Sequence, residues 1–272
     1  MSKSFGYIPP TLIYGKDYIE GSPIQLGSVP LVPDGQWNDY LPPAEEQKRY
    51  NLETQMCVSI NTLAAIEILQ KRVYGLQTEW SDRWLAKMSE TTKYGNDPKK
   101  VAETIYYKGG VYEEEWPWTP EIDTWDEFYA GIPMDIQVRG QVRFRSVYEF
   151  GYQFVKPTHE KMMEALTRSP LGVDVYAWDE GGGGIYERNG QQSNHWCVIY
   201  SYKKGRYWKC YDSYLDENGQ RQTNLKKLDW DFGFSVVMEY TLDKKVQVNN
   251  PHDPRYLWWQ AILFFKKLLW KS

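Results

Sequence analysis

The chain has 272 residues, of which 42% are hydrophobic, so it can bury a large core as one domain or as two lobes that share an interface. Its net charge of −4, with no cluster of Lys and Arg, argues against a nucleic-acid partner, because contacts to phosphates require concentrated positive charge. The most apolar stretch, residues 256–265, is followed by two lysines well short of the length that crosses a bilayer, which excludes a simple transmembrane helix.

The cysteine count bears on the compartment and on metal binding. Cys57, Cys197 and Cys210 are too few for a disulfide framework and lack the spacing of metal ligands, so neither a metal nor another cofactor is expected. The first residues contain no continuous apolar segment of the kind that a secretory signal requires. We therefore expect a cytoplasmic or otherwise reducing compartment, with Cys197 and Cys210 as buried free thiols.

Residues 1–44 are predicted to form an extended N-terminal arm that lies on the body of the protein. The segment is rich in Pro, Gly and Tyr, and its prolines interrupt any long helix or strand. These prolines are Pro9, Pro10, Pro23, Pro30, Pro33, Pro42 and Pro43.

Residues 45–150 are predicted to form a helical lobe. Apolar residues at helical spacing indicate a central helix that begins at Cys57 and runs to about Arg72. Ser81 is a candidate N-cap of a second helix, and Asp97 followed by Pro98 is typical of the start of a third.

Residues 151–246 are predicted to form a β-rich lobe, apart from one helix over residues 158–168. Strand patterns cover residues 171–178, 195–202, 206–212 and 234–240, and the middle two are expected to pair as a hairpin. The remaining residues, 247–272, are an amphipathic, aromatic tail that we expect to dock on a protein partner or on a membrane surface. The predicted class is α+β, with two lobes.

The residues suited to chemistry lie at the ends of these elements. Cys57 stands at a predicted helix N-terminus, where backbone N–H groups and the positive end of the helix dipole stabilise a thiolate. Of the three histidines, only His195 begins a predicted strand, and Asp212 ends the partner strand of the hairpin. A thiol, an imidazole that takes its proton and a carboxylate that orients the imidazole are the components of a cysteine hydrolase.

The sequence around these residues resembles the papain-like cysteine peptidases. Residues 57–67, from Cys57 to Glu67, resemble the family's Cys-Trp-Ala-Phe-Ser segment and its continuation into the central helix. Further matches follow in family order. They are residues 80–85 for Leu-Ser-x-Gln-x-Leu, residues 109–118 for Gly-Gly-Ile-x-x-Glu-x-x-Tyr-Pro-Tyr, residues 184–186 for Ser-Gly-Ile-Tyr, Asn194 with His195 for Asn-His, and residues 207–214 for Tyr-Trp-x-x-x-Asn-Ser-Trp.

This resemblance implies a papain-like two-lobe fold, with substrate in the cleft between a helical lobe and an antiparallel, β-barrel-like lobe. It implies a catalytic triad of Cys57, His195 and Asp212. The family's oxyanion-hole glutamine precedes the nucleophile by six residues, which points to Asn51, with Gln55 as an alternative nearer to the thiol.

Two further residues are assigned to substrate binding. Members of the family bind the substrate backbone with a Gly-Gly segment of the helical lobe, for which Gly95 is the nearest equivalent. Trp196 follows His195 where the family has a small residue, so we expect its indole at the cleft.

These features predict a cysteine endopeptidase that cleaves peptide bonds through a thioester acyl-enzyme. Asp212 replaces the family's Asn, and a carboxylate there orients the imidazole and favours the imidazolium. Two alternatives use the same fold. One is a catalytically inactive binding or structural protein, for example a component of a virus particle, which Val58 and Trp196 favour. The other is an amidase or acyltransferase that keeps the triad and acts on a non-peptide amide.

Overall fold

The fold is given by a computed structural model, which describes residues 5–13, 16–17, 19, 29–214 and 225–245. The predicted C-terminal tail, residues 247–272, lies outside the described residues, as do parts of the predicted arm. Among the described helices, none combines the length and the apolar character that crossing a bilayer requires.

A long helix, α1, spans Cys57–Tyr74 at the centre of the molecule. Every residue from Cys57 to Gln70 is buried, because α1 packs against other helices and also against the sheet. The helix ends at Gly75, which adopts the left-handed conformation with φ 66° and donates its N–H to the Lys71 carbonyl. The prediction of a central helix that begins at Cys57 is confirmed.

The next two helices of the first half pack against α1 and begin at the predicted caps. Ser81 accepts a hydrogen bond from the Trp84 N–H, and Asp97 accepts one from the Lys99 N–H. A short hairpin precedes α1. The elements are β1 (Lys48–Arg49), β2 (Leu52–Glu53), α2 (Asp82–Met88), α3 (Pro98–Lys108), α4 (Trp125–Phe128) and α5 (Met134–Gly140).

In the part of the second half that the structure describes, there are one helix and an eight-stranded sheet. In chain order the elements are β3 (Tyr148–Val155), α6 (His159–Leu166), β4 (Leu171–Val175), β5 (Asp179–Glu180), β6 (Ile185–Glu187), β7 (His195–Lys203), β8 (Tyr207–Tyr211), β9 (Leu225–Asp229) and β10 (Val237–Lys244). The spatial order is β3-β10-β4-β7-β8-β9-β6-β5, with every pair antiparallel except β6 with β9. The sheet is therefore open, with β3 and β5 at its two edges.

The predicted hairpin is present as β7 and β8, which pair antiparallel with an irregularity between Ile199 and Ser201. The sequence patterns did not predict β3 or β9. In β9 the residues alternate between exposed and buried, but one of the buried positions is Lys226. A lysine on the inward face removes the apolar alternation by which a strand is recognised.

Three carboxyl groups are buried where the segment before β1 meets α1 and α2. Burial raises the pKa of Glu45 to about 7. Burial, together with neighbouring carboxylates, raises the pKa values of Glu67 and Asp82 well above their usual range. Glu45 hydrogen-bonds Asp82, and this contact requires a proton on one of the two carboxyl groups. Protonation of these carboxyl groups therefore stabilises the folded chain.

The chain with Glu45→Gln is expected to lose less stability than the wild type when the pH rises from 5 to 8. The pKa of Glu45 is about 7 in the folded chain against an ordinary 4.5, so its stabilising contribution is complete below the lower value and is lost as the pH rises through the higher one. Glutamine does not titrate, which removes on the order of 1–3 kcal/mol of pH dependence from the free energy of unfolding. Urea unfolding at both pH values measures the difference. Glu114→Gln, at an exposed position, is the control, and equal pH dependence in all three chains would contradict the prediction.

Candidate active site

The first residues of α1 and β7 meet in the interior and carry Cys57 and His195. Both side chains are fully buried, and the thiol lies close enough to the imidazole to affect its charge. Asn61, one turn into α1, donates its side-chain amide to the Trp196 carbonyl at 2.7 Å and to the Cys57 carbonyl at 3.0 Å. This amide holds the start of the helix against the start of the strand, and so positions the thiol beside the imidazole.

A carboxylate and a buried lysine extend this pair on the other side of the imidazole. His195 Nε2 lies 2.5 Å from Asp212 Oδ1, and Lys226 Nζ lies 2.5 Å from Asp212 Oδ2. Trp178 Nε1 donates to the same Oδ2 at 3.1 Å, and its ring stands edge-on to the imidazole with 5.8 Å between centroids. Because Asp212 occupies the Nε2 side of the imidazole, Nδ1 is the ring nitrogen available to Cys57.

The groups around His195 favour the imidazolium form of its side chain. Burial lowers the pKa of His195, but the charges of Asp212 and Cys57 outweigh burial and raise that pKa to about 10. Burial raises the pKa of Asp212, but the charges of Lys226 and His195 outweigh it and lower that pKa to about 2. Burial lowers the pKa of Lys226, and Asp212 raises it above its usual range. Imidazolium, carboxylate and ammonium therefore alternate in sign through the buried site.

The side-chain amide that faces this site belongs to Gln47. Its Nε2 donates to the Phe5 carbonyl at 3.2 Å, and its Oε1 accepts from Ser213 Oγ at 2.9 Å. Asn51 lies instead in the exposed turn between β1 and β2, with φ 64°, so the structure corrects the prediction that Asn51 donates in an oxyanion hole. The hairpin adds residues between the buried amide and Cys57, and a spacing of six residues therefore falls on an exposed side chain.

Residues 5–8 of the N-terminal arm lie in the cleft between the helical half and the sheet. The Phe5 N–H donates to the Asn194 carbonyl at 3.0 Å. The Asn96 N–H donates to the Gly6 carbonyl at 2.9 Å, and the Ile8 N–H donates to the Asn96 carbonyl at 2.9 Å. The arm is thus held by backbone hydrogen bonds from both walls of the cleft.

The arm covers the reactive groups. The Phe5 carbonyl oxygen, which Gln47 contacts, also lies 3.3 Å from His195 Nδ1. Cys57 has no solvent-exposed surface in this arrangement. Further along the arm, Asp17 forms an ion pair with Lys99 at 2.7 Å. The described parts of the arm therefore close the cleft over the thiol.

The two residues predicted to bind substrate both lie beside the arm. Gly95 packs directly against Gly6. Trp196 is fully buried and stacks on Tyr7, with ring centroids 5.7 Å apart and planes 9° apart. The indole packs against the arm and not in open cleft space, since its partner in the stack is Tyr7.

Three residues of the site, Gln47, Trp178 and Lys226, were not predicted. Gln47 carried one signal, a glutamine upstream of the thiol, which is the residue type the family uses. Lys226 sits at a buried register position of β9, but β9 escaped recognition because of that same lysine. Trp178 reaches Asp212 across the sheet from the loop after β4, a contact that no local pattern reports.

Solved structures similar to this chain are cysteine proteases. The digestive procathepsin L 3 of Tenebrio molitor larval midgut has a TM-score of 0.55 and 16% identity, over 84% of this chain and 74% of that one. The Carica candamarcensis cysteine protease CMS1MS2, solved with E-64, has a TM-score of 0.55 and 16% identity, over 78% of this chain and 99% of that one. The clostridial cysteine protease Cwp84 after propeptide cleavage has a TM-score of 0.60 and 11% identity, over 76% of this chain and 57% of that one.

No family model and no curated protein sequence matches the chain. The structural likeness therefore rests on the backbone, and at these identities it establishes the fold. The chain has a papain-like α+β fold, as its motifs predicted.

Proposed function

We propose that this chain is a cysteine peptidase that cleaves peptide bonds through a thioester acyl-enzyme. The observation that carries the proposal is the position of the buried His195 imidazole, which lies beside Cys57 and whose Nε2 is 2.5 Å from the Asp212 carboxylate. Nucleophilic catalysis by a thiol needs this sequence of groups, and the raised pKa of His195 keeps the imidazolium available as an acid. The papain-like fold supports the same assignment by analogy.

In the proposed reaction the Cys57 thiolate attacks the carbonyl carbon of the scissile peptide bond. The negative charge that develops on the carbonyl oxygen is stabilised by Gln47 Nε2 and the Cys57 backbone N–H. His195 gives its Nδ1 proton to the leaving amine, which breaks the C–N bond and leaves a thioester on Cys57. His195 then takes a proton from water, which hydrolyses the thioester and restores the thiolate and imidazolium. Asp212 holds the ring through Nε2 in every step.

Replacing Gln47 with alanine is expected to lower kcat by about 10²–10³-fold, since the oxyanion loses its side-chain donor. The effect on KM should be smaller, because the interaction strengthens in the transition state. Asn51→Ala is the matched control, because it removes the amide that the family spacing selects and lies in an exposed turn. Steady-state kinetics of both variants measure the difference, with thermal melting to check that each is folded. Equal kcat values for the two variants would remove Gln47 from the mechanism.

The assay requires a chain whose arm has left the cleft, because residues 5–8 occupy the place of a substrate. Gly6→Val serves this purpose. A Cβ at Gly6 would lie 2.4 Å from the Gln55 carbonyl oxygen, and φ there is 102°, which disfavours any side chain. Gly205→Val is the matched control, since Gly205 has φ 70° but open space around its Cα.

The test of the function combines hydrolysis with labelling of Cys57. The Gly6→Val chain is incubated with a library of fluorogenic peptides and, separately, with an epoxide probe, and the labelled residue is identified by mass spectrometry. We expect hydrolysis by Gly6→Val at a rate well above that of the wild type and of Gly205→Val, with epoxide attached to Cys57 in step with the loss of activity. A folded Gly6→Val chain that neither hydrolyses peptides nor reacts at Cys57 would favour the inactive, binding alternative. Hydrolysis of non-peptide amides alone would favour the amidase.

A further inference from the structure

Gly6 of the arm lies in close contact with the wall of the cleft where the arm passes the thiol. A Cβ built on Gly6 would lie 2.4 Å from the Gln55 carbonyl oxygen and 3.1 Å from Cys57 Sγ. A Cβ built on Gly95, which also belongs to the helical half, would lie 2.0 Å from the Gly6 carbonyl carbon. The closest of these atoms belong to the backbone, so no side-chain rotation makes room. The passage therefore accepts a residue without a side chain.

The residue that follows this passage enters an aromatic site. Tyr7 is 5% exposed and stacks on Trp196, with a centroid distance of 5.7 Å and an angle of 9° between ring planes. Offset stacking of two nearly parallel rings favours an aromatic side chain over an aliphatic one at this position.

The residue before the passage is also surrounded by rings. The Phe5 ring stands edge-on to His195 at 6.2 Å and edge-on to Tyr214 at 5.6 Å. Edge-to-face geometry at these distances is a favourable arrangement of aromatic rings. Both neighbours of the glycine position are therefore aromatic sites.

The backbone contacts of the arm do not depend on its side chains. The cleft bonds the arm through the N–H groups of residues 5 and 8 and through the Gly6 carbonyl, with donors and acceptors on Asn96 and Asn194. Any extended peptide offers the same groups. Selectivity among peptides must then come from the narrow passage and from its two aromatic neighbours.

We propose that the cleft is a glycine-selective peptide site that takes a glycine flanked by aromatic residues, in the order Phe-Gly-Tyr that residues 5–7 display. The arm is an internal copy of this ligand. The inference rests on the proposed function in one respect, since it makes peptides with this triplet the substrate class of the peptidase. The binding preference itself stands on the geometry of the cleft.

The test measures binding without turnover, in the full chain carrying Gly6→Val and Cys57→Ser. Fluorescence anisotropy follows a labelled acetyl-Phe-Gly-Tyr-Ile-amide peptide, with Phe-Ala-Tyr-Ile and Phe-Gly-Ala-Ile as matched competitors. We expect the glycine peptide to bind at least about tenfold more tightly than the alanine peptide, and the peptide that lacks Tyr to bind at least about fivefold more weakly. Equal affinity of the glycine and alanine peptides, or no saturable binding of the glycine peptide, overturns the proposal.

A second variant separates loss of folding from loss of binding. Tyr7→Ala weakens the arm by removing its stack on Trp196 and introduces no clash, so the same titration in Tyr7→Ala with Cys57→Ser is expected to give the same order of affinities. Glycine-selective binding with no hydrolysis by the thiol-containing chain would contradict the proposed function and keep this inference. Hydrolysis without a glycine preference would contradict this inference alone.

Discussion

Replacing Cys57 with alanine in the arm-displaced chain is expected to lower kcat for peptide hydrolysis by roughly 10⁴–10⁶-fold. Alanine has no nucleophile to form the thioester, and the remaining groups supply only oxyanion binding and orientation. Cys57 begins α1 and its side chain is fully buried. The substitution removes a single sulfur atom from this packed site, so the fold should stay intact. Steady-state hydrolysis of the best peptide from the substrate library measures the loss.

The matched control for Cys57→Ala is Cys210→Ala. Cys210 is another buried free thiol, and it lies on β8, outside the proposed mechanism. Its replacement should change kcat by less than about threefold, since it costs packing but no reactive group. Residual hydrolysis by Cys57→Ala within tenfold of the parent chain would mean that another residue is the nucleophile.

Replacing Lys226 with methionine is expected to lower the free energy of unfolding by roughly 3–5 kcal/mol. Asp212 is fully buried, and Lys226 supplies one of the two cations that compensate its charge. Methionine fills a similar volume, but it leaves His195 as the charged partner of the carboxylate and the Trp178 N–H as its neutral partner. A buried carboxylate that loses a charged partner retains its desolvation cost without the matching attraction. Urea unfolding at neutral pH measures the loss.

Two further chains determine whether charge is the cause. Lys227→Met, on the neighbouring exposed position of β9, should change stability by less than about 1 kcal/mol. Combining Lys226→Met with Asp212→Asn removes both partners of the ion pair, and the double variant should be less destabilised than the sum of its single variants. Additive losses would show that Lys226 acts through packing of its methylene groups and not through its charge.

Sequence patterns anticipated the parts of the fold that depend on neighbouring residues. The caps Ser81 and Asp97 start the helices that they were expected to start, because a cap acts on N–H groups within three positions. The β7–β8 hairpin was predicted for the same reason, since its two strands flank a short turn. The strand β9 was missed because its inward lysine is stabilised by a carboxylate on the preceding strand segment, which a local pattern does not contain.

The candidate site divides in the same way. The sequence by itself determined Cys57 at a helix start, His195 at a strand start and Asp212 at the end of the hairpin, because each depends on the local element. Only the tertiary structure decided that the Gln47 amide faces the buried groups while Asn51 is exposed, that Lys226 compensates Asp212 and that residues 5–8 lie over the thiol. These contacts join distant parts of the chain, as between Phe5 and His195, which are 190 positions apart. Such pairings are set by how α1 packs on the sheet and by the hairpin inserted before it, which no short stretch of residues encodes.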